Sequence, residues 1–134
     1  MTLLLDTHTV LWMTEDLPNL GRRARSACNA ALAADEIAIA SIVFFEAAWL
    51  LKRGRVTGPS TAREWRSRLL SLGLREIPLS AEIAMLAAEL EDLHGDPLDR
   101  IIVATTLAER GTLLTADRQI LAWPGQMLRQ DARR

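Results

Sequence analysis

The sequence predicts an α/β fold, a single three-layer α/β/α domain around a parallel central sheet. Short unbroken apolar runs such as Leu3-Leu4-Leu5 and Ile37-Ala38-Ile39 alternate with longer stretches of helical periodicity, the order expected when strands are covered on both faces. A length of 134 residues suits one domain with a substantial core. No repeat, low-complexity segment or linker divides it. The domain is therefore expected over residues 3–128, with a polar tail, 129–134, that is expected to fray.

The elements follow in order. Leu3-Leu4-Leu5 is the first strand, and a helix through Val10, Leu11 and Trp12 follows at once. Leu20, Ala24, Ala27 and Ala31 recur at steps of three and four residues and mark one helical face. Ile37-Ala38-Ile39 is the second strand, with Ser41 placed to cap the next helix. That helix, to about Arg53, is apolar nearly all round and is expected to be deeply buried. Gly54 and the Gly58-Pro59 pair punctuate the next loop. Ala62, Trp65, Leu69 and Leu72 form a further helical face closed by Gly73, and residues 74–79 read as the third strand. Ile83, Leu86, Leu90 and Leu93 give an amphipathic helix that breaks at His94-Gly95-Asp96-Pro97. A helix from Pro97 stops at Gly111. Residues 112–115 form the fourth strand, 117–122 a short helix and 126–128 a last strand.

Composition narrows the function classes. Nearly half the residues are apolar and a quarter charged, with a net charge of −1, so no broad basic surface grips nucleic acid. Lys52 is the only lysine. Cys28, the only cysteine, excludes an internal disulfide and a thiolate metal cluster and fits a reducing compartment. The N-terminal MTLLLD lacks the basic region of a signal peptide, and the apolar stretch 37–51 is interrupted by Ser41 and Glu46. A cytoplasmic protein without a membrane segment is expected.

The acids carry the chemistry. In open parallel sheets ligands bind outside the carboxyl ends of the strands. Asp6 ends the first strand, Asp117 follows the fourth, Asp96 and Asp99 open the helix before it, and Glu46 lies inside the helix after the second. Each aspartate also fits a helix N-terminus, with Pro97 at the first helical position after Asp96. Glu46 is too far inside its helix to cap it, so it needs a cation, a partner such as Arg53 or Arg100, or a route to solvent. One metal site accounts for Glu46 and the aspartates together. Carboxylates without clustered His or Cys suit Mg²⁺, or Mn²⁺, rather than zinc.

Asp6-Thr7-His8 after a strand, Glu46 on an apolar helix, the run from His94 through Asp96-Pro97-Leu98-Asp99-Arg100 to Thr105, and Thr115-Ala116-Asp117 together resemble the PIN-domain nucleases. They look most like the VapC-type toxins of bacterial toxin–antitoxin pairs, in order from residue 3 to about 123. The resemblance implies a Mg²⁺-dependent endoribonuclease with Asp6, Glu46, Asp99 and Asp117 as its acidic quartet. Asp6 and Asp99 would be the most direct metal ligands, with Glu46 and Asp117 completing the set and positioning the attacking water. Asp96 would be an additional acid and helix cap, and Thr115 a hydrogen-bonding partner. The resemblance further implies an RNA substrate, a homodimer and an inhibitory antitoxin partner that pushes a basic or aromatic side chain into the pocket.

Val43 stands where many relatives carry Ser or Thr. Arg100 and Arg118 border the acids as candidate RNA-phosphate contacts. His8 is expected to pack with the first helix, and His94 to orient the loop before Asp96. Three rivals remain. A haloacid-dehalogenase-like phosphatase would use Asp6 as nucleophile, but His8 replaces that family's second aspartate. A nucleotide-binding module lacks its glycine-rich loop. A catalytically lapsed RNA- or protein-binding scaffold would keep the fold alone.

Overall fold

The computed structural model describes residues 1–56, 58 and 61–134. Pro59 of the Gly58-Pro59 punctuation lies outside the described residues. The strands are β1 (Leu3–Leu5), β2 (Ile37–Ala40), β3 (Arg75–Ile77), β4 (Thr112–Thr115) and β5 (Leu128–Asp131). The helices are α1 (Thr7–Thr14), α2 (Arg22–Ala33), α3 (Ile42–Lys52), α4 (Ala62–Leu72), α5 (Ala81–Glu89), α6 (Pro97–Ala108) and α7 (Arg118–Ala122). All sheet pairings are parallel and the strand order is β3-β2-β1-β4-β5. The order reverses at β1, so the loops leaving β1 and β4 diverge and open a crevice at the carboxyl edge.

Both faces of the central strands are sealed. Every residue of β1 and β2 is buried, as parallel strands between helical layers must be. Trp65 of α4 is fully buried, and its indole N–H donates to Thr14 Oγ1 at 3.0 Å. Cys28 is buried and its thiol is pushed up to about 11 by desolvation, so it is not a reactive thiolate. No helix among the described residues is long and apolar enough to cross a membrane.

Two arginines clamp irregular backbone. Arg100 donates to the carbonyls of Ala87, Ala88, Leu90, Leu93 and His94 at 2.6–3.3 Å, which ties the end of α5 to the start of α6. Arg129 donates to the carbonyls of Ile120, Trp123 and Gly125 at 2.6–2.9 Å. Both supply donors to carbonyls at helix ends and in the loops that follow them.

Several sequence expectations are corrected. The segment expected to fray is structural: β5 begins at Leu128 and pairs with β4 from Thr112↔Leu128 to Thr115↔Asp131. Ala132 is fully buried. Its N–H donates to Thr115 O and its carbonyl accepts from Gly21 N, both at 2.8 Å, while Arg23 N donates to Arg134 O at 2.7 Å. The uncapped start of α2 thus finds acceptors in the last residues of the chain. An edge strand needs only backbone pairing on one side, so it carries no apolar alternation to read.

Helix α3 is not deeply buried. Val43 and Ala47 face the core, whereas Phe45 and Trp49 are about half exposed and stack on each other. Ser41 does not cap α3; its hydroxyl reaches Ile77 O at 3.1 Å and Glu76. Gly111 ends no helix by a left-handed turn either, since Arg110 takes that conformation at φ 53°. Glycine is needed at 111 because an added Cβ would lie 2.6 Å from Thr2 O and 2.7 Å from Leu4 Cδ1. Gly111→Ala is expected to destabilise the fold by about 1–3 kcal/mol, the usual range for overpacking. It would be read as a lower urea midpoint at unchanged slope.

Candidate metal centre

The site is a crevice of about 360 Å³ at the carboxyl edge of β1 and β4. Asp6, Glu46, Asp96, Asp99 and Asp117 all line it. Five acids from four separate stretches of sequence therefore converge, including the whole quartet expected from the sequence.

Three of these acids reach the pocket because they cap helices. Asp6 caps α1 by accepting from Thr9 N at 3.1 Å. Asp96 caps α6 through Leu98 N at 3.0 Å, and Asp117 caps α7 through Gln119 N at 2.8 Å and Ile120 N at 3.1 Å. Capping and site membership are thus the same geometry. A helix start aims N–H groups and its positive dipole end at the carboxylate and favours negative charge there. Asp99, in the first turn of α6, has no capping bond among the described residues and presents its carboxylate to the crevice.

Asp6 is buried. Desolvation raises its carboxyl pKa, opposed by hydrogen bonds from Thr115 and Thr9 and by the nearby His8. Thr115 is the pivot of this corner: its hydroxyl donates to Asp6 Oδ2 and accepts from Asp117 N at 3.0 Å. Asp99 is pushed up to about 8, first by burial and then by the charges of Asp96, Asp117, Glu46 and Asp6. Carboxylates crowded in this way repel one another, and a cation among them would relieve that repulsion.

Glu46 is half-buried one turn into α3, and Thr7 donates a short hydrogen bond to its Oε1. Thr7 stands inside the Asp6-Thr7-His8 motif, but the sequence reading gave it no role. Neither proposed arginine partner is used, since Arg53 lies over Trp49 at 4.3 Å and Arg100 is spent on carbonyls. Arg100 is for the same reason withdrawn as a phosphate contact. Arg118 is exposed at the start of α7, outside the crevice lining.

The free donor atoms fit a hard divalent cation. Asp117 Oδ2, Glu46 Oε2 and both Asp99 oxygens carry no hydrogen bond among the described residues, and each Asp6 oxygen retains a lone pair. An all-oxygen set of this kind suits Mg²⁺ or Mn²⁺. One ligand atom each from His94, Asp99 and Asp117 also lie within 4.8 Å of one another. His94 Nδ1 accepts from Asp96 N at 3.4 Å. Its Nε2 stands 3.4 Å from Asp99 Oδ2 without a hydrogen-bond partner among the described residues. His94 therefore orients Asp96 and faces Asp99. His8 is exposed at the crevice rim, tilted 57° against Trp12 at 6.5 Å.

The other residue missed is Arg133, which lines the crevice beside Trp12 and Ala116. It lies in the tail that composition marked as frayed, and only the pairing of β5 with β4 brings it there.

Comparison with known proteins agrees with this architecture. The family model for the PIN domain matches residues 3–124. Ribonuclease VapC22 of Mycobacterium tuberculosis is 32% identical over 120 residues, covering 89% of each chain. Among solved structures, the DNA-bound VapBC from Salmonella typhimurium has a TM-score of 0.72 at 19% identity and covers 98% of both chains. VapBC2 from Rickettsia felis, bound to a DNA fragment from its promoter, has a TM-score of 0.69 at 20% identity, covering 97% of this chain and 98% of the other. These structural likenesses concern the fold, whereas the sequence matches extend along nearly the whole chain. The chain belongs to the PIN-domain family, among its VapC-type members.

Proposed function

We propose that the protein is a divalent-metal-dependent endoribonuclease that hydrolyses phosphodiester bonds at the acidic crevice and acts as the toxin of a toxin–antitoxin pair. The observation that carries the reading is the convergence of Asp6, Glu46, Asp99 and Asp117, from four different elements, on one pocket of a PIN fold. The 32% identical relative is itself named a ribonuclease.

Asp6 and Asp99 would hold the cation most directly, with Glu46 and Asp117 completing the oxygen set. When bound, Mg²⁺ or Mn²⁺ would supply an acidified water and a counter-charge for the leaving oxygen. The chain's own residues do the rest. Thr115 holds Asp6 and the Asp117 backbone in fixed relation, and Thr7 fixes the rotamer of Glu46. Glu46 Oε2 then faces the crevice, free to orient an attacking water. Asp99, raised first by burial and then by the neighbouring acids, would hold a cation only in its deprotonated form, so metal and proton would compete for it. One solved neighbour, from Klebsiella pneumoniae, is described as a toxin–antitoxin complex, which supports an antitoxin partner for this chain; a cytoplasmic setting is proposed on the family resemblance. A homodimer is proposed on the family resemblance alone.

Purified protein freed of any partner should cut single-stranded RNA with Mg²⁺ or Mn²⁺ and stop when chelator is added. Asp6→Asn and Asp99→Asn should each lose at least about a hundredfold in rate, and Thr115→Val about ten- to a hundredfold as a supporting contact. A folded protein that cuts no RNA and binds no metal would return the site to the scaffold reading. Metal-dependent release of phosphate from monoesters instead would favour the phosphatase.

The raised pKa of Asp99 sets a pH dependence. Its contribution to the stability of the metal-free protein is full below the ordinary carboxylate value near 4 and is lost as pH rises through about 8. Metal-free Tm should therefore fall between pH 5 and pH 8 by more in wild type than in Asp99→Asn, by about 1 °C or more on the usual scaling. Added Mg²⁺ should raise wild-type Tm at pH 8 and have little effect at pH 5. A metal-free melting profile identical in the two proteins would refute this account of Asp99.

A further inference from the structure

Resting on the ribonuclease reading, we infer that Arg133 is the substrate-phosphate grip of the crevice, held in place by Trp12 and the Ala116 carbonyl. The crevice has five acids in its wall, so an incoming phosphodiester meets repulsion from every side except the cation's. Among the lining residues Arg133 alone is permanently cationic, since the only other basic group, His8, carries charge only when protonated. The sequence offered Arg100 and Arg118 for this task. Arg100 is consumed by five carbonyls, and Arg118 is exposed and not part of the lining.

The placement of Arg133 is built. Its Nη1 donates a short hydrogen bond to Ala116 O, the carbonyl immediately before Asp117. Its guanidinium carbon lies 5.8 Å from the centroid of the Trp12 ring, and Trp12 packs against the core. Its own N–H donates to Asp131 Oδ1 at 2.9 Å, and its neighbour Ala132 is fully buried. One of the guanidinium's five N–H donors is spent on Ala116. The remaining edge has no acceptor among the described residues, although acids stand around it, and it can offer a fork to two non-bridging phosphate oxygens. Gly21 guards the arrangement, because a Cβ there would lie 2.1–2.5 Å from backbone atoms of Arg133 and Arg134.

The test compares wild type with Arg133→Met, which keeps an apolar stem against Trp12, Arg133→Lys, which keeps the charge, and Arg134→Met. Arg134 is exposed, pairs loosely with Asp131 at 3.8 Å and does not line the crevice, so it controls for net charge. Two readouts are taken: equilibrium binding of a fluorescent single-stranded RNA with Ca²⁺ in place of Mg²⁺ across about 50–200 mM salt, and steady-state cleavage with Mg²⁺. Thermal melts confirm that each variant is folded. Arg133→Met is expected to weaken RNA binding about tenfold and to lower the salt slope by about 0.7, the loss of one phosphate contact to a single strand. KM should rise more than kcat falls, with Arg133→Lys recovering part of the affinity and Arg134→Met close to wild type. Equal affinity and slope for Arg133→Met and Arg134→Met would overturn the inference. So would tighter RNA binding by Arg133→Met, which would make Arg133 a counter-ion for the acids. A wild type that binds RNA in this Arg133-dependent way but never cuts it would overturn the nuclease reading alone.

Discussion

Burying the Asp6 carboxylate at the end of the central strand is the costly act around which this corner of the molecule is organised. An ionised carboxylate without partners would lose several kcal/mol on leaving water. Thr115 on the adjacent strand, the Thr9 amide and the start of α1 meet that cost in the folded chain. The same contacts decide where the group points. Because β1 lies between β2 and β4, the carboxylate emerges where helices leave in opposite directions and the sheet leaves a crevice. The neighbouring acids then bring a second problem, mutual repulsion, which adds to burial in raising the pKa of Asp99. Protonation relieves it at low pH and a cation can relieve it at neutral pH, so one electrostatic feature links stability, metal affinity and chemistry.

Helix capping and metal binding are often set against each other as explanations for an aspartate. Here they coincide. The capping oxygen of Asp117 takes two amide protons while its other oxygen is left for the crevice, and Asp6 divides its oxygens between Thr9 and Thr115. Capping removes rotational freedom from the side chain before any ligand arrives, which lowers the ordering entropy that binding would otherwise cost.

The sheet, the helices and the acids were legible in the sequence because each leaves a local trace: β1 and β2 as unbroken apolar runs, α6 as an Asp-Pro start, Glu46 as a charge stranded in an apolar helix. What escaped has no such trace. Thr7 becomes a partner of Glu46 only through packing of α1 against α3, across 39 positions of sequence. Arg100 and Arg133 are the same residue type with opposite fates, and only the path of the surrounding backbone separates them. Strand β5 was misjudged because an edge strand held by backbone bonds can be written in polar residues. The half exposure of α3 escaped for the converse reason: an apolar side chain records what it can pack against, not whether this chain supplies the partner.

The strand order also sets the sequence of events when the polypeptide is made. Asp6 is synthesised before its hydroxyl partner Thr115, which lies 109 positions later, and the strand that carries Arg133 beyond it follows the other described elements. The capping bonds of Asp6, Asp96 and Asp117 are local, but those that join separate stretches, Thr115 to Asp6 and Thr7 to Glu46, are non-local, and their loop-closure entropy must be met before they form. A growing chain carries Asp6 and Glu46 long before it can assemble them with Asp99, Asp117 and Arg133. The crevice is a property of the whole domain, because only a stretch that spans both Asp6 and Thr115 can close its central contact.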